Sequence, residues 1–311
     1  MSFIDLHCDT ASRIFYEKES LKKNSFSVDI DKLKKGEALA QVFAFFIDAG
    51  EVKDLESEFK SMYNTFIDEI EKNKSEIEIV RNINELKSCE EKGKIGAFLS
   101  IEEGEVLKGD IKNLRRVYDM GIRFITLTWN YKNSLGYPNY NYIYKDKGLT
   151  SLGKDMVVEM ESLGIIPDCS HLSDGGFWDL INICKKPFIA THSNSREITP
   201  HPRNLTDDMI KALADKGGVM GLNFCADFLG KERVSSLEEM TNHIKHIKNI
   251  GGIDVLALGS DFDGIENKVE IKDSSEMDKL AFYLHKEGFK ESEIEKIFYK
   301  NVLRFMMENL R

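Results

Sequence analysis

Eight short apolar segments, spread along the whole chain, constrain its fold more than any other feature of the sequence. They are rich in β-branched residues and continuous rather than alternating, which is typical of strands buried on both faces of a parallel sheet. The stretches between them have helical apolar periodicity, as over 152–163 and 205–216. The predicted strands span 3–6, 41–47, 95–101, 123–127, 164–168, 187–191, 218–223 and 254–259.

Eight strands alternating with helices over 311 residues predict an α/β fold, a (β/α)8 TIM-type barrel. Barrels of this length commonly form one unit, so we expect residues 1–311 to be a single domain. A doubly wound sheet is the alternative. It is disfavoured because no Gly-x-Gly-x-x-Gly follows the first predicted strand, and the sequence contains no phosphate-binding P-loop motif.

The charge balance and the cysteines restrict the partners and the compartment. With 43 Lys and Arg against 53 Asp and Glu, the net charge is −10, which argues against nucleic acids and anionic membranes as partners. Five widely spaced cysteines without a Cys-x-x-Cys pair favour a reducing compartment. No apolar run approaches the roughly 18 residues of a membrane span, and from the polar, strand-like residues 2–7 we expect no signal peptide. We therefore expect a cytoplasmic protein. The sequence does not determine its oligomeric state, and a homodimer is one possibility.

Polar side chains stand directly after several predicted strands. His7 and Asp9 follow the first strand and, in an extended segment, project to the same side. At the carboxyl ends of barrel strands such residues converge on one pocket, where barrel enzymes place their active sites. Four more residues occupy strand ends of this kind: Glu102, His171, His192 and Asp261.

These residue types in this arrangement indicate a metal-dependent hydrolase. Imidazole and carboxylate groups without thiolate suit Zn²⁺ or a similar divalent ion. One catalytic zinc takes about three protein ligands, whereas this set supplies five. Two ions about 3.5–4 Å apart, bridged by a carboxylate, would use all five and leave Asp261 free for proton transfer. The five predicted ligands are His7, Asp9, Glu102, His171 and His192.

Several short motifs occur in a fixed order along nearly the whole chain. They are Asp-Leu-His-Cys-Asp-Thr at 5–10, Ser-Ile-Glu at 100–102, Thr-Leu-Thr-Trp-Asn at 126–130, Asp-Cys-Ser-His-Leu at 168–172, Thr-His-Ser-Asn at 191–194, Pro-Arg-Asn-Leu-Thr-Asp at 202–207 and Gly-Ser-Asp-Phe-Asp-Gly at 259–264. In this order the sequence resembles the membrane (renal) dipeptidase family of zinc peptidases, within the amidohydrolase superfamily. The most telling matches are those at 191–194 and 202–207.

The resemblance implies which residues hold two zinc ions per chain. One zinc would be held by His7, Asp9 and Glu102, and the second by Glu102, His171 and His192. Glu102 would bridge the two ions. A water bridging the metals would have its pKa lowered from 15.7 toward about 7, so that hydroxide is present at neutral pH.

Two further positions carry the substrate contacts that the resemblance implies. Arg203 matches the family's arginine for the substrate carboxylate, a role that suits its planar fork of donors. Trp129 stands where mammalian relatives have a histidine, and we expect its ring to line the pocket. Glu103 occupies a place where relatives often carry Gly, and Glu102 is taken as the ligand because it directly follows the strand.

Together these residues predict a metallo-dipeptidase of the membrane dipeptidase type, which hydrolyses the peptide bond of small dipeptides. Asp261 would move a proton from the attacking water to the leaving amine, and Arg203 would fix the free carboxylate. The long Tyr- and Asn-rich segment 130–148 would cover the substrate. Two alternatives stay open: a binuclear-metal amidohydrolase acting on another small amide or lactam, and a catalytically silent metal-binding barrel.

Other polar residues are weaker candidates for metal binding or catalysis. His243 and His246 are three residues apart on a predicted helix over 237–250, and we expect them on its solvated face. Asp263 competes for the proton-transfer role but lies further from the strand end. Asp168 either supports a nearby ligand or caps its strand.

Overall fold

In the computed structural model, which describes residues 1–230 and 233–310, eight parallel strands close into a barrel. The strands of the described chain are β1 (Phe3–Cys8), β2 (Ala38–Phe46), β3 (Ile77–Ile79), β4 (Ile95–Glu102), β5 (Ile122–Thr126), β6 (Ile166–Asp168), β7 (Ile189–Ala190), β8 (Val219–Leu222), β9 (Val234–Ser235), β10 (Leu256–Leu258) and β11 (Lys268–Val269). Around the barrel the order is β1, β2, β4, β5, β6, β7, β8 and β10. The barrel closes where Asp5 of β1 pairs with Leu258 of β10.

Each of the eight predicted strands coincides with one barrel strand, so the predicted (β/α)8 TIM-type fold is confirmed. Apolar patterning does not predict β3, β9 or β11. The first pairs with the opening residues of β4, Ile77 opposite Ile95, and the other two form a separate pair. These three strands are missed because charged or polar residues interrupt the apolar ones there, so that no continuous apolar run marks them in the sequence.

Helices connect the barrel strands and pack around them. They are α1 (Thr10–Glu17), α2 (Ile30–Lys35), α3 (Leu55–Lys72), α4 (Ile83–Glu91), α5 (Lys112–Asp119), α6 (Ser151–Leu163), α7 (Asp174–Ile183), α8 (Asp207–Asp215), α9 (Ala226–Leu229), α10 (Leu237–Gly251), α11 (Asp278–Lys286), α12 (Glu291–Glu295) and α13 (Asn301–Asn309). The hydroxyls of Thr150, Thr206 and Ser236 accept backbone N–H groups at the starts of α6, α8 and α10. Over the two described stretches of chain, no helix combines the length and the apolar character that crossing a membrane requires.

Two apolar clusters lie on the two sides of the barrel wall. The inner cluster takes side chains from every barrel strand, for example Leu6 and Phe98, together with Phe305 of α13. Because all eight strands contribute, this cluster fills the barrel interior. The side-chain amide of Asn301, at the start of α13, donates to the carbonyl of Leu256 at 2.8 Å. α13 therefore closes the amino-terminal end of the barrel, opposite the strand ends that carry the predicted site.

Candidate active site

The five predicted metal ligands and Asp261 meet at the carboxyl-terminal end of the barrel. His7 lies in the last part of β1, Glu102 ends β4, and the others stand in the turns that follow their strands. His171 and Asp261 have left-handed backbone angles, with φ of 67° and 62°. That conformation costs a non-glycine residue about 1–2 kcal/mol and is concentrated at functional sites.

Glu102 is the centre of this donor cluster, the six side chains of His7, Asp9, Glu102, His171, His192 and Asp261. Its Oε2 lies 3.1 Å from Nε2 of His7. Its Oε1 lies 3.2 Å from Nε2 of His171 and 3.6 Å from Nε2 of His192. On the His7 side, Oδ2 of Asp9 lies 3.5 Å from the same imidazole nitrogen. The two oxygens of one carboxylate thus face two different sets of nitrogen donors.

The spacing of the donor cluster fits divalent metal ions. In a tetrahedral zinc site, ligand atoms about 2.0–2.2 Å from the ion are about 3.3–3.6 Å from one another. The contacts of Glu102 with His7, His171 and His192 are 3.1–3.6 Å long, and the two Nε2 atoms of His171 and His192 are 3.1 Å apart. Nε2 of His7 and Oδ1 of Asp9 are buried without a hydrogen-bond partner among the described residues. A bound cation would satisfy both atoms and would displace the proton that the neighbouring carboxylates favour on His7.

The electrostatics of the donor cluster favour positive charge at its centre. Burial alone lowers the pKa of His7, but the carboxylates of Glu102 and Asp9 outweigh burial and raise this pKa well above its usual value. Burial lowers the pKa of His171 to about 4. It also lowers the pKa of His192 well below the ordinary value. These two imidazoles are therefore neutral near pH 7 and can offer lone pairs to a metal ion.

Asp261 and Asp263 have different environments although they are two residues apart. Burial raises the pKa of Asp261 to about 6, which suits a group that takes up and releases a proton near neutral pH. The amide of Asn223 donates to its Oδ2 at 2.8 Å, and its Oδ1 lies 3.9 Å from Nε2 of His7. Asp263 instead accepts the hydroxyl of Thr10 at 2.6 Å and a backbone N–H at 2.7 Å. Oδ1 of Asp261 therefore faces the donor cluster, whereas both oxygens of Asp263 accept hydrogen bonds from other segments.

Glu103, the sequence neighbour of the central carboxylate, points away from the donor cluster. Its backbone is left-handed, with φ of 117°. Its carboxylate accepts the backbone N–H groups of Glu105 at 2.8 Å and Trp129 at 3.2 Å, and the amide of Asn133 at 2.5 Å. Glu103 therefore fastens the segment that follows β5, whereas Glu102 faces the histidines.

A cavity of about 430 Å³ opens in front of the donor cluster. Trp129 lines it, with its ring centroid 4.8 Å from that of Phe46 and 6.2 Å from that of His171. A second cavity, of about 210 Å³, also touches His171 and is walled by Tyr140. Segment 130–148 thus forms part of the boundary of the site.

Arg203 lies buried in the smaller cavity, beside His171 and His201. Its Nη2 donates to the carbonyl of His192 at 3.2 Å, while Nε and Nη1 have no partner within the described part of the chain. The ring centroid of Phe228 is 5.3 Å from the guanidinium carbon. Buried donors without partners cost free energy, so an anion such as a carboxylate would be stabilised here.

The family model of the membrane dipeptidases, peptidase family M19, matches residues 1–310. The chain belongs to the membrane dipeptidase family. An uncharacterized protein in the pqqA 5′ region of Klebsiella pneumoniae is 32% identical over 231 residues, which cover 71% of this chain and 85% of that protein. An uncharacterized dipeptidase of Schizosaccharomyces pombe is 30% identical over 298 residues, which cover 89% of this chain and 70% of the yeast protein.

Two solved structures share the fold of this membrane dipeptidase family member. One is the dipeptidase AC, a metallopeptidase of family M19, with a TM-score of 0.93, 23% identity, and coverage of 100% of this chain and 99% of that chain. The other is a metallopeptidase from Rhodobacter sphaeroides, liganded with a phosphinate mimic of the dipeptide L-Ala-D-Ala, with a TM-score of 0.93, 23% identity and 99% coverage of each chain. The imidazole and carboxylate side chains of the donor cluster are of the kinds that bind metal ions, which agrees with membership of a family of metallopeptidases.

The prediction that both helical histidines face solvent is wrong for His243. That side chain is fully buried, with Nε2 2.9 Å from the carbonyl oxygen of Leu229 and Nδ1 accepting the backbone N–H of Ser195 at 3.1 Å. His246 is half-buried, and its Nε2 lies 2.7 Å from Oδ1 of Asp207. The segment after β7 covers α10 at this position, which the periodicity of the helix alone does not reveal.

Two asparagines contact the donor cluster and are missed by a search for ionisable groups. Oδ1 of Asn130 lies 3.3 Å from Nδ1 of His171, and Asn223 donates to Asp261. Asn223 directly follows β8, so a search of every strand end for polar residues of any kind would have found it. In this membrane dipeptidase family member, amides as well as charged groups orient the donor cluster.

Proposed function

We propose that this protein is a zinc-dependent dipeptidase, a single-domain barrel over residues 1–311 that hydrolyses the peptide bond of dipeptides. The proposal is carried by the position of Glu102. One of its oxygens faces His7, and the other faces His171 and His192. A carboxylate whose two oxygens face different donors is suited to bridge two metal ions.

Two Zn²⁺ ions would occupy the donor cluster. His7, Asp9 and Glu102 would hold one, and Glu102, His171 and His192 would hold the other. Imidazole and carboxylate donors without thiolate match the preferences of zinc in catalytic sites. When bound, the ions would supply Lewis-acid polarisation of the scissile carbonyl and activation of water.

Asp261 would carry the proton that the reaction must move. Its Oδ1 faces the donor cluster, while Asn223 holds Oδ2, so the free oxygen is the one that can accept a proton from the attacking water. The same oxygen would then donate the proton to the nitrogen of the leaving amine. Trp129 and Phe46 would exclude solvent from this step, which strengthens the electrostatic interactions around it.

Arg203 would bind the carboxylate of the substrate and thereby select short peptides. Its partnerless Nε and Nη1 lie in a cavity that also touches His171, so the carboxylate and the scissile bond must be close together along the substrate. A dipeptide has this spacing. Further support comes from the yeast relative, which is named a dipeptidase, and from the Rhodobacter sphaeroides structure, which holds a dipeptide mimic.

The two alternatives lack a comparable observation. A small amide or lactam without a carboxylate would leave the buried donors of Arg203 unpaired. A catalytically silent barrel has no use for Asp261, whose burial raises its pKa to about 6 next to the donor cluster.

The cysteines support a cytoplasmic location for this enzyme. All five are free, and four of them are buried. A reducing compartment keeps cysteines in this state, whereas an oxidising one favours their pairing.

The experiment is zinc reconstitution of the purified protein followed by elemental analysis and a dipeptide hydrolysis assay. We expect close to two zinc ions per chain and activity that strong chelators abolish. Glu102→Ala should disturb both ions, whereas His171→Ala should lose mainly one. Glu103→Gln is the matched control, because Glu103 is the neighbouring glutamate outside the donor cluster, and it should retain both ions. One ion or none in the reconstituted wild type, or no hydrolysis of any dipeptide, would overturn the proposal.

A further inference from the structure

A buried chain of hydrogen bonds runs behind His192, on the side away from the other donors. The hydroxyl of Thr191 donates to Oδ2 of Asp168 at 2.6 Å and lies 2.8 Å from Nδ1 of His192. The hydroxyl of Thr126 donates to the same oxygen of Asp168 at 2.7 Å. Asp168 and both threonines are 0% exposed, so these contacts are shielded from solvent.

The contacts of Asp168 determine where the hydroxyl proton of Thr191 lies. Oδ1 of Asp168 accepts two backbone N–H groups, those of Ser170 and Thr191, each at 2.9 Å. Together with the two hydroxyls, four donors therefore surround one carboxylate, which offers acceptors only. Thr191 has a single hydroxyl proton, and that proton is used in its bond to Asp168.

The tautomer of His192 follows from this assignment. Because the hydroxyl of Thr191 has no second proton, its oxygen can only accept from Nδ1 of His192, and Nδ1 must carry the imidazole proton. Nε2 then keeps its lone pair. That nitrogen is the one that lies 3.1 Å from Nε2 of His171 and 3.6 Å from Oε1 of Glu102.

We propose that Asp168, acting through Thr191, fixes the tautomer of His192 and so keeps Nε2 of that histidine available as a metal donor. The two are positioning residues, since neither faces the donor cluster itself. The inference deepens the proposed function, on which its metal-binding consequence rests. Hydrogen-bond partners behind a ligating histidine orient the ring and raise its basicity, and their loss typically weakens metal affinity by about 10- to 100-fold.

The two threonines provide a matched pair of variants. Thr191→Val and Thr126→Val each remove one buried hydroxyl donor from Oδ2 of Asp168, with the same change of side chain. Only the first also removes the acceptor for Nδ1 of His192. Loss of metal affinity should therefore be confined to Thr191→Val. This variant should also lose more stability than Thr126→Val, because it leaves the buried Nδ1–H of His192 unpaired and removes a contact with the hydroxyl of Ser170 at 3.3 Å.

The first measurement is zinc affinity, by competition with a chromophoric chelator, for the wild type and three variants. Thr191→Val should weaken one of the bound ions by about 10- to 100-fold, while Thr126→Val stays within about threefold of the wild type. Thr191→Ser keeps the hydroxyl and should restore the affinity. Equal weakening by the two valine substitutions, or none in either, would overturn the inference.

The second measurement is made on the wild type without metal, and a variant is needed only to assign its signals. In the metal-free wild type with ¹⁵N-labelled histidine, the signals of His192 are assigned by their loss in His192→Gln. They should show a protonated Nδ1 and an unprotonated Nε2. An Nε2-protonated tautomer would contradict the inference whatever the protein's activity. If instead the tautomer is as expected but the wild type binds no zinc, the proposed function fails and the assignment of the tautomer stands.

Discussion

Replacing Arg203 separates carboxylate recognition from the rest of the proposed reaction. Arg203→Met removes the guanidinium while keeping a long, unbranched side chain in a buried position. In the structure, Nη2 is used by the carbonyl of His192, and Nε and Nη1 have no partner among the residues described. Two charged donors are therefore free for a substrate carboxylate.

The magnitude follows from those two donors. A hydrogen bond to a charged group contributes about 1.5–3 kcal/mol, so two contribute about 3–6 kcal/mol. At 1.4 kcal/mol for each factor of ten, kcat/KM for dipeptides should fall by about 10²- to 10⁴-fold in Arg203→Met. A dipeptide C-terminal amide has no negative charge, so its kcat/KM should fall by only about tenfold or less.

The assay compares kcat/KM for one dipeptide and its C-terminal amide in the wild type, Arg203→Met and Arg203→Lys. The lysine variant keeps the charge but loses the planar fork, so it should lie between the other two proteins for the dipeptide. Zinc content is measured in parallel, because Arg203 also contacts the backbone of His192. Equal losses for the dipeptide and the amide at unchanged zinc content would refute the carboxylate role.

Asp261→Asn should keep zinc and substrate binding but lower kcat by about 10²- to 10⁴-fold. If Asp263→Asn is inactive while Asp261→Asn has normal kcat, the proton-transfer role belongs to Asp263. Trp129→Phe keeps an aromatic ring but removes the N–H donor. A drop in kcat of about tenfold at constant melting temperature would show that the indole donates a hydrogen bond in the reaction, and unchanged kinetics would reject this role. Burial lowers the pKa of His243 to about 4, so the unfolded chain binds a proton between pH 6.5 and 4 that the folded protein does not. Stability is thus lost as the pH falls below 6.5, and between pH 7 and 5 the wild type should lose about 2 kcal/mol more free energy of unfolding than His243→Gln in urea titrations. A pH dependence identical in both proteins would contradict this effect of His243.

The barrel and the place where the candidate site residues meet could be predicted from the sequence because both follow from the positions of the strands. Buried parallel strands are continuous apolar runs, and a carboxyl-terminal residue such as Glu102 is identified once its strand is placed. The same logic brings His7 and His192 together without any knowledge of distances. That the donors converge at 3–4 Å is a property of the folded barrel, which the sequence pattern cannot supply.

Contacts between distant segments could not be predicted. The burial of His243 depends on the segment after β7 lying over α10, and no periodicity within the helix encodes that contact. The opposite directions of Glu102 and Glu103 follow from hydrogen bonds that Glu103 makes with residues 26 and 30 positions later. The network behind His192 similarly joins the ends of β5 and β6 with the residue after β7, Thr191.

The closure of the barrel between β1 and β10 affects how the protein can be synthesised. These two strands come from opposite ends of the chain, and the helix that plugs the barrel, α13, follows the later one. During translation one edge of β1 therefore stays unpaired, and the apolar interior stays open, until β10 and α13 have been synthesised. His7 and Asp261 lie on the two sides of this seam and become neighbours only then. Without β10 the barrel has an unpaired edge and the donor cluster lacks Asp261, and an exposed edge of this kind favours self-association.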